Sequence, residues 1–161
     1  RAKAVALYGL SLLRVEDSSR ANKAWLQVVD DLDYIVQHFK DDTCDIWEFV
    51  RRTDFFWNRF VTRAALLMGS QFARKFTKPD ITRAQHWESV ALSMDKDLAA
   101  YFDGNIVRPS MKGYFTLHLD TSILEAFNEG DYFELSPVQR LYTPLDPRVI
   151  RSLSFMTEQW C

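Results

Sequence analysis

The chain has 161 residues, of which 47% are hydrophobic, 14% aromatic and 26% charged. This length and composition fit one folded domain with a sizeable core and exclude a disordered chain. The formal net charge of −2 gives no basic surface for nucleic acid or an anionic membrane, so we expect no nucleic-acid partner and no membrane association. No apolar run is long enough to span a bilayer.

Helical periodicity predicts an all-α chain of roughly six helices, with an irregular segment around residues 104–119. The first helix is predicted from Ala2 to Leu13, and the second from about Arg20 to Phe39 with Ser18 or Ser19 as its N-cap. The third has an apolar face too wide for a surface helix, so we expect it between neighbouring helices. That face consists of Phe60, Val61, Ala64, Ala65, Leu67, Met68, Phe72 and Phe76.

The second half of the chain continues the helical pattern with one interruption. Asp80 is predicted to cap a fourth helix that runs through Tyr101 to a stop at Asp103-Gly104-Asn105. From Ile106 to Leu119 the pattern alternates, which indicates loops and a short strand. A short helix is predicted from Asp120 to Phe127.

The last predicted helix begins at Asp146, an N-cap residue, followed by Pro147 at the first helical position, and continues to Trp160. Neither end of the chain carries the sequence signal of a helix boundary. We therefore expect residues 1–161 to be a fragment of a single larger domain.

The cysteines and histidines predict no metal site. Cys44 and Cys161 are the two cysteines, and the sequence leaves open whether they form a disulfide or are buried free thiols. The histidines, His38, His86 and His118, stand without cysteine or acidic partners at ligand spacing.

The most informative stretch is Asp45-Ile46-Trp47-Glu48, in the break between the second and third predicted helices. An apolar indole disfavours the charged form of a neighbouring carboxyl group, so Glu48 beside Trp47 can stay protonated near neutral pH. Glycoside hydrolysis uses such a group as its general acid. Alternatively, Glu48 is an N-terminal acid favoured by a helix dipole, Trp47 a core residue and Asp45 a helix cap.

The residues after this stretch have structural interpretations. Asp54 is predicted to cap the third helix rather than to act as a base, and Phe55-Phe56-Trp57 is predicted to lie in the core. The basic residues expected on solvated faces are Arg51, Arg52, Arg63, Arg74 and Lys75.

Four segments stand in a characteristic order. They are Asp31-Leu32-Asp33-Tyr34-Ile35-Val36-Gln37, then Asp45-Ile46-Trp47-Glu48, then Phe55-Phe56, and finally the run from Arg63 to Ala73. This order resembles the glucoamylase family of inverting glycoside hydrolases, whose acid-bearing region reads D-L-x-Y-(V/I)-x-Q, D-L-W-E-E-V, F-F and R-A-L-x-x-G-x-x-(F/L)-A. Looser similarity covers Arg1-Ala2-Lys3-Ala4, Asp120-Thr121-Ser122-Ile123-Leu124 and Pro144-Leu145-Asp146-Pro147-Arg148.

The resemblance implies part of an (α/α)6 toroid and a catalytic role for Glu48 as general acid. It implies that Asp45, Ile46 and Trp47 bind substrate. The implied reaction releases glucose from the non-reducing ends of starch-like α-glucans or maltooligosaccharides, with inversion and without a cofactor. The resemblance also implies a secreted, extracellular enzyme that is monomeric as a full-length protein.

The resemblance assigns other catalytic groups to segments that this chain does not match. The family's general base lies far towards the carboxyl end of the domain, and its substrate-gripping arginine-aspartate pair lies just upstream of the Arg1 match. We therefore expect the isolated chain not to hydrolyse maltose at an enzymatic rate. Within the motif, Phe49 replaces a glutamate that binds substrate hydroxyls, and Arg51-Arg52 replaces a common asparagine-glycine pair.

A second functional class stays open on the sequence, namely a helical scaffold or interaction module whose apolar faces stack helix on helix. The absence of a repeat of fixed period argues against it. A trehalase-like carbohydrase is another alternative within the enzyme class. The enzyme interpretation places Trp47 and Glu48 at the mouth of a concave, aromatic-lined funnel, whereas the scaffold interpretation buries Trp47 and leaves Glu48 on a convex surface.

Overall fold

A computed structural model of the chain describes residues 1–44, 54–111, 121–128 and 135–160. These residues are mostly helical, which confirms the all-α prediction. The helices are α1 (Ala2–Arg14), α2 (Ser18–His38), α3 (Phe56–Lys75), α4 (Ile81–Ser93), α5 (Asp95–Ala99), α6 (Ser122–Asn128) and α7 (Pro147–Trp160). Among the described residues, no helix combines the length and the apolarity needed to cross a membrane.

Two short strands form the predicted interruption. Strand β1 (Phe102–Asp103) pairs antiparallel with β2 (Ile106–Val107). Gly104 in the turn between them has a φ of 61°, a left-handed conformation that glycine adopts without steric cost. Residues 112–119 of the predicted irregular segment lie outside the described residues.

The chain divides into two compact units. Unit 1 consists of Arg1–Lys40 and Thr62–Ser93, and unit 2 consists of Asp41–Val61 and Met94–Cys161. Helix α3 therefore contributes its first turns to unit 2 and its remaining turns to unit 1.

In unit 1, the middle of α3 is buried on all sides. Residues 63–70 are all buried, which confirms that this helix lies between neighbours. A Cβ atom on Gly69 would overlap Leu32 of α2 and lie 3.3 Å from the Trp87 ring of α4. The lack of a side chain at Gly69 therefore lets α2 and α4 pack closely against α3. Arg63 is only 3% exposed, so its predicted place on a solvated face is wrong.

Local hydrogen bonds explain most helix starts. The carboxylates of Asp80 and Asp146 accept from the backbone amides of Arg83 and Arg148, at 3.0 and 2.9 Å, as predicted for N-caps. The predicted cap of α2 is wrong. Asp17, not Ser18 or Ser19, accepts from the Arg20 amide at 3.1 Å, and both serines lie inside the first turn.

The predicted fourth helix is two helices, α4 and α5, separated at Met94. Just before this break, the Ser93 hydroxyl donates to the Val90 carbonyl oxygen at 2.7 Å. Such a side-chain bond competes with the backbone ladder and bends helices.

In unit 2, α7 packs against the β hairpin. Ser152, which is 1% exposed, accepts a hydrogen bond from the Val107 amide at 3.0 Å. Its hydroxyl also donates to the Arg148 carbonyl oxygen at 2.7 Å. The serine therefore satisfies a buried strand amide from within the helix.

Candidate functional site

The sequence-predicted site residues Asp45, Ile46, Trp47 and Glu48 all lie outside the described residues, as does Phe49. The catalytic role of Glu48 and the binding roles of its neighbours therefore stay predictions. The structure describes the chain on either side of this segment, at residues 41–44 and from residue 54 onwards.

The chain directly before Asp45 is bound by Asn58, in the first turn of α3. The Asn58 side-chain amide donates to the Thr43 hydroxyl and to the Cys44 carbonyl oxygen, the latter at 2.8 Å. Only the nitrogen of the amide can donate to a carbonyl, so this contact fixes the orientation of the group.

The chain directly after residue 53 is bound by the next residue of α3. Arg59 donates from Nε to Asp54 Oδ1 at 2.6 Å and from Nη2 to the Asp41 carbonyl oxygen at 3.3 Å. The prediction that Asp54 caps the third helix is wrong, because α3 begins at Phe56 and the Asp54 carboxylate pairs with the Arg59 side chain. The guanidinium thus contacts both flanks of residues 45–53.

Backbone pairing fixes the downstream flank further. Phe55 and Ser110 form an isolated antiparallel bridge. The Phe56 amide donates to the Pro109 carbonyl oxygen at 2.9 Å. The segment that follows the motif is therefore part of a short β pairing before it enters α3.

An aromatic cluster lies under this flank. Phe55 and Phe56 are 2% and 0% exposed, which confirms their predicted place in the core. Trp57 is half-buried. Among the described residues, the rings whose centroids lie 5.5–6.2 Å from the Phe56 ring are those of Phe60, Tyr101, Phe102, Phe127 and Tyr142.

Tyr101 is a buried titratable group of this region, with 1% of its surface exposed. Burial raises the pKa of its phenol far above the usual range, and the nearby Asp54 carboxylate raises it further. The Tyr101 hydroxyl makes no hydrogen bond of ordinary geometry within the described part of the chain. The phenol therefore stays neutral in solution at any ordinary pH.

Cys44 is exposed and carries a free thiol, so the alternative of a buried thiol is wrong for this residue. Cys161 lies outside the described residues. Across the described ranges, no three histidine, cysteine, aspartate or glutamate side chains lie close enough together to hold a metal ion.

Comparison with known proteins identifies the family. The family model described as Glycosyl hydrolases family 15 matches residues 1–152. The chain belongs to glycosyl hydrolases family 15. Glucoamylase 1 of Rhizopus oryzae is 31% identical to it over 108 residues, which are 64% of this chain and 17% of the fungal protein. The chain thus spans less than a fifth of that relative's length, and no solved structure matches it.

Membership of glycosyl hydrolases family 15 confirms the glucoamylase-family resemblance and supports a glycosidase function. Two positions within the segments that resemble the family have structural roles in this chain, and one of them, Asp33, stands at a variable position of its segment. Asp33 accepts from the Arg83 guanidinium, at 2.9 Å from Nη2, and from Trp87 Nε1 at 3.0 Å. Together with Gly69, it holds the helices of unit 1 together.

Sequence reasoning missed Asn58 and Arg59. Neither residue belongs to the motifs that resemble the family, and each occupies a helix position where polar residues are usually solvated. The sequence indicates only that both residues lie in the first turn of the third helix, shortly after Phe55-Phe56.

Proposed function

We propose that this chain is the acid-bearing part of a glycoside hydrolase that releases glucose from the non-reducing ends of starch-like α-glucans with inversion. The observation that carries the proposal is the family match over residues 1–152, which contains the Asp45-Ile46-Trp47-Glu48 motif. Glu48 is the general acid, and Asp45, Ile46 and Trp47 line the sugar subsites around the scissile bond.

In the proposed mechanism, Glu48 protonates the bridging oxygen of the glycosidic bond as that bond breaks. A second carboxylate, roughly 6.5 to 9.5 Å from the first in inverting enzymes, takes a proton from the water that attacks the opposite face of the sugar. This base belongs to a segment outside residues 1–161. The Trp47 indole offers a flat apolar face for a sugar ring and disfavours ionisation of the acid.

The substrate is an α-glucan or a maltooligosaccharide, and the reaction needs no cofactor. Phe49 stands where the family commonly has a second glutamate, so one hydrogen bond to the substrate hydroxyls is missing. We place the enzyme outside the cell and expect a monomeric full-length protein folded as an (α/α)6 toroid. These assignments rest on the family resemblance.

Replacing the acid tests the proposal. In the polypeptide that carries this sequence together with all catalytic segments, Glu48→Gln is expected to lower kcat on maltose by about 10²- to 10⁴-fold, because proton transfer to the leaving oxygen is lost. Glu125→Gln, a change of the same type at an exposed position of α6, is the control and is expected to keep the wild-type kcat. Glucose release within a few-fold of wild type in Glu48→Gln would overturn the assignment.

A further inference from the structure

We propose that Asn58 and Arg59 are positioning residues for the general acid. Their side chains bind the chain on both sides of residues 45–53, the segment that contains Glu48. The inference rests on the proposed function, since it takes Glu48 to be the acid. Neither residue contacts substrate in this proposal; both act through the segment that they hold.

The upstream contacts end one residue before the motif. Asn58 binds the Cys44 carbonyl oxygen at 2.8 Å and the Thr43 hydroxyl, and Arg59 binds the Asp41 carbonyl oxygen at 3.3 Å. Backbone carbonyl contacts of this kind fix the path of the main chain, not just a side chain. The chain therefore enters the motif from a position set by the first turn of α3.

The downstream contact is an ion pair shielded from water. Arg59 Nε lies 2.6 Å from Asp54 Oδ1, and the two side chains are only 12% and 27% exposed. Charge-assisted hydrogen bonds are stronger than neutral ones, and partial burial reduces their screening by salt. The chain therefore leaves the segment at a second position set by the same turn.

The two anchors act together because Asn58 and Arg59 are consecutive residues of one helix. The positions of Cys44 and Asp54, the described residues on either side of residues 45–53, are thus both tied to the first turn of α3. A catalytic acid must be held within about half an ångström of its working position, and a shift of about 1 Å can cost about 100-fold in rate. Fixing both ends restricts such shifts.

The kinetic test compares variants at the two ends of α3. Asn58→Asp keeps the shape of the side chain but removes both N–H donors, and Arg59→Met removes the guanidinium. Arg74→Met is the matched control, because it breaks the Arg74–Glu88 ion pair at the far end of the same helix. In the polypeptide with all catalytic segments, we expect the first two variants to lower kcat by about 10- to 100-fold with little change in KM. The control should change neither.

A second readout does not depend on activity. The exposed thiol of Cys44, adjacent to the motif, takes a nitroxide spin label in a 161-residue chain that carries Cys161→Ser. We expect Asn58→Asp to shorten the rotational correlation time of the label at least about two-fold, since the main chain at Cys44 is released. The Arg74→Met spectrum should match that of the parent chain.

The outcomes separate the two proposals. If Glu48→Gln abolishes turnover but Asn58→Asp and Arg59→Met match Arg74→Met in kcat and in label mobility, the positioning role is wrong while the proposed function stands. If Asn58→Asp and Arg74→Met mobilise the label equally, the contacts serve general stability and the positioning role is also wrong. If Glu48→Gln keeps wild-type turnover, the proposed function fails and this inference fails with it.

Discussion

Three polar atoms are buried in unit 2 without a hydrogen-bond partner among the described residues: Trp57 Nε1, Asn58 Oδ1 and the Tyr101 hydroxyl. Two of these residues are consecutive in the first turn of α3, and Tyr101 lies near the Asp54 carboxylate. A buried polar atom that loses its hydration without a replacement bond destabilises the fold, so the pairing of each of these atoms can be tested through stability.

The Tyr101 hydroxyl can be tested individually. We expect Tyr101→Phe to leave the free energy of unfolding unchanged or to raise it by up to about 1 kcal/mol, because the substitution removes an unpaired hydroxyl and keeps the buried ring. Urea unfolding of both chains measures the difference. A loss of more than about 1 kcal/mol would show that the hydroxyl is paired, with Asp54 as the nearest acceptor.

At the scale of elements, we expect the first turns of α4 and α7 to make the stability of the fold depend on pH. The side chain of Arg148 holds the pKa of Asp146 below its usual range by hydrogen bonding, and the backbone amide of Arg83 does the same for Asp80. A carboxylate whose folded pKa is depressed stabilises the fold above its unfolded pKa of about 3.9. That stability is lost as the pH falls through the folded pKa.

We therefore expect the double variant Asp80→Asn, Asp146→Asn to lose less free energy of unfolding than wild type when the pH falls from about 5 to about 2. These two pH values bracket the unfolded pKa of about 3.9. Asparagine caps helices about as well as aspartate, so the helix starts are kept while the titration is removed. Urea unfolding at a series of pH values measures the slope. Equal slopes in the two proteins would contradict the proposed linkage.

The elements also show what sequence periodicity can predict. The caps at Asp80 and Asp146 were predictable, because a cap depends on residues within one turn. The pairing of Asp54 with Arg59 was not predictable from the sequence. An aspartate just before a helix can either cap the helix or pair with a later side chain, and tertiary packing determines which of the two forms. The contacts from Asn58 to Thr43 and Cys44 depend on how the chain folds back, which no local pattern records.

At the scale of the whole molecule, the all-α class was predictable because apolar residues recur at helical spacing through most of the chain. The site was predictable only through resemblance. Without the resemblance, Asp45 could equally be a helix cap and Trp47 a core residue. The distinction between a funnel and a convex surface concerns Trp47 and Glu48, which lie outside the described residues, so the family match decides in favour of a glycosidase.

The isolated chain provides a test at this scale. We expect the purified 161-residue polypeptide to release no glucose from maltose above background, because the proposed base lies outside it and an inverting reaction needs both carboxyl groups. A sensitive glucose assay over long incubation measures this. Turnover that is abolished by Glu48→Gln would instead place the second carboxylate within the chain.

The central claim is that Glu48 delivers a proton to the leaving group. The most direct measurement compares two substrates in the Glu48→Gln variant of the polypeptide with all catalytic segments: maltose, whose leaving oxygen needs a proton, and α-glucosyl fluoride, whose fluoride leaves without one. We expect kcat on maltose to fall by about 100-fold or more while the rate on the fluoride stays within about ten-fold of wild type. Equal losses on both substrates, or no loss on maltose, would contradict the role of Glu48 as general acid.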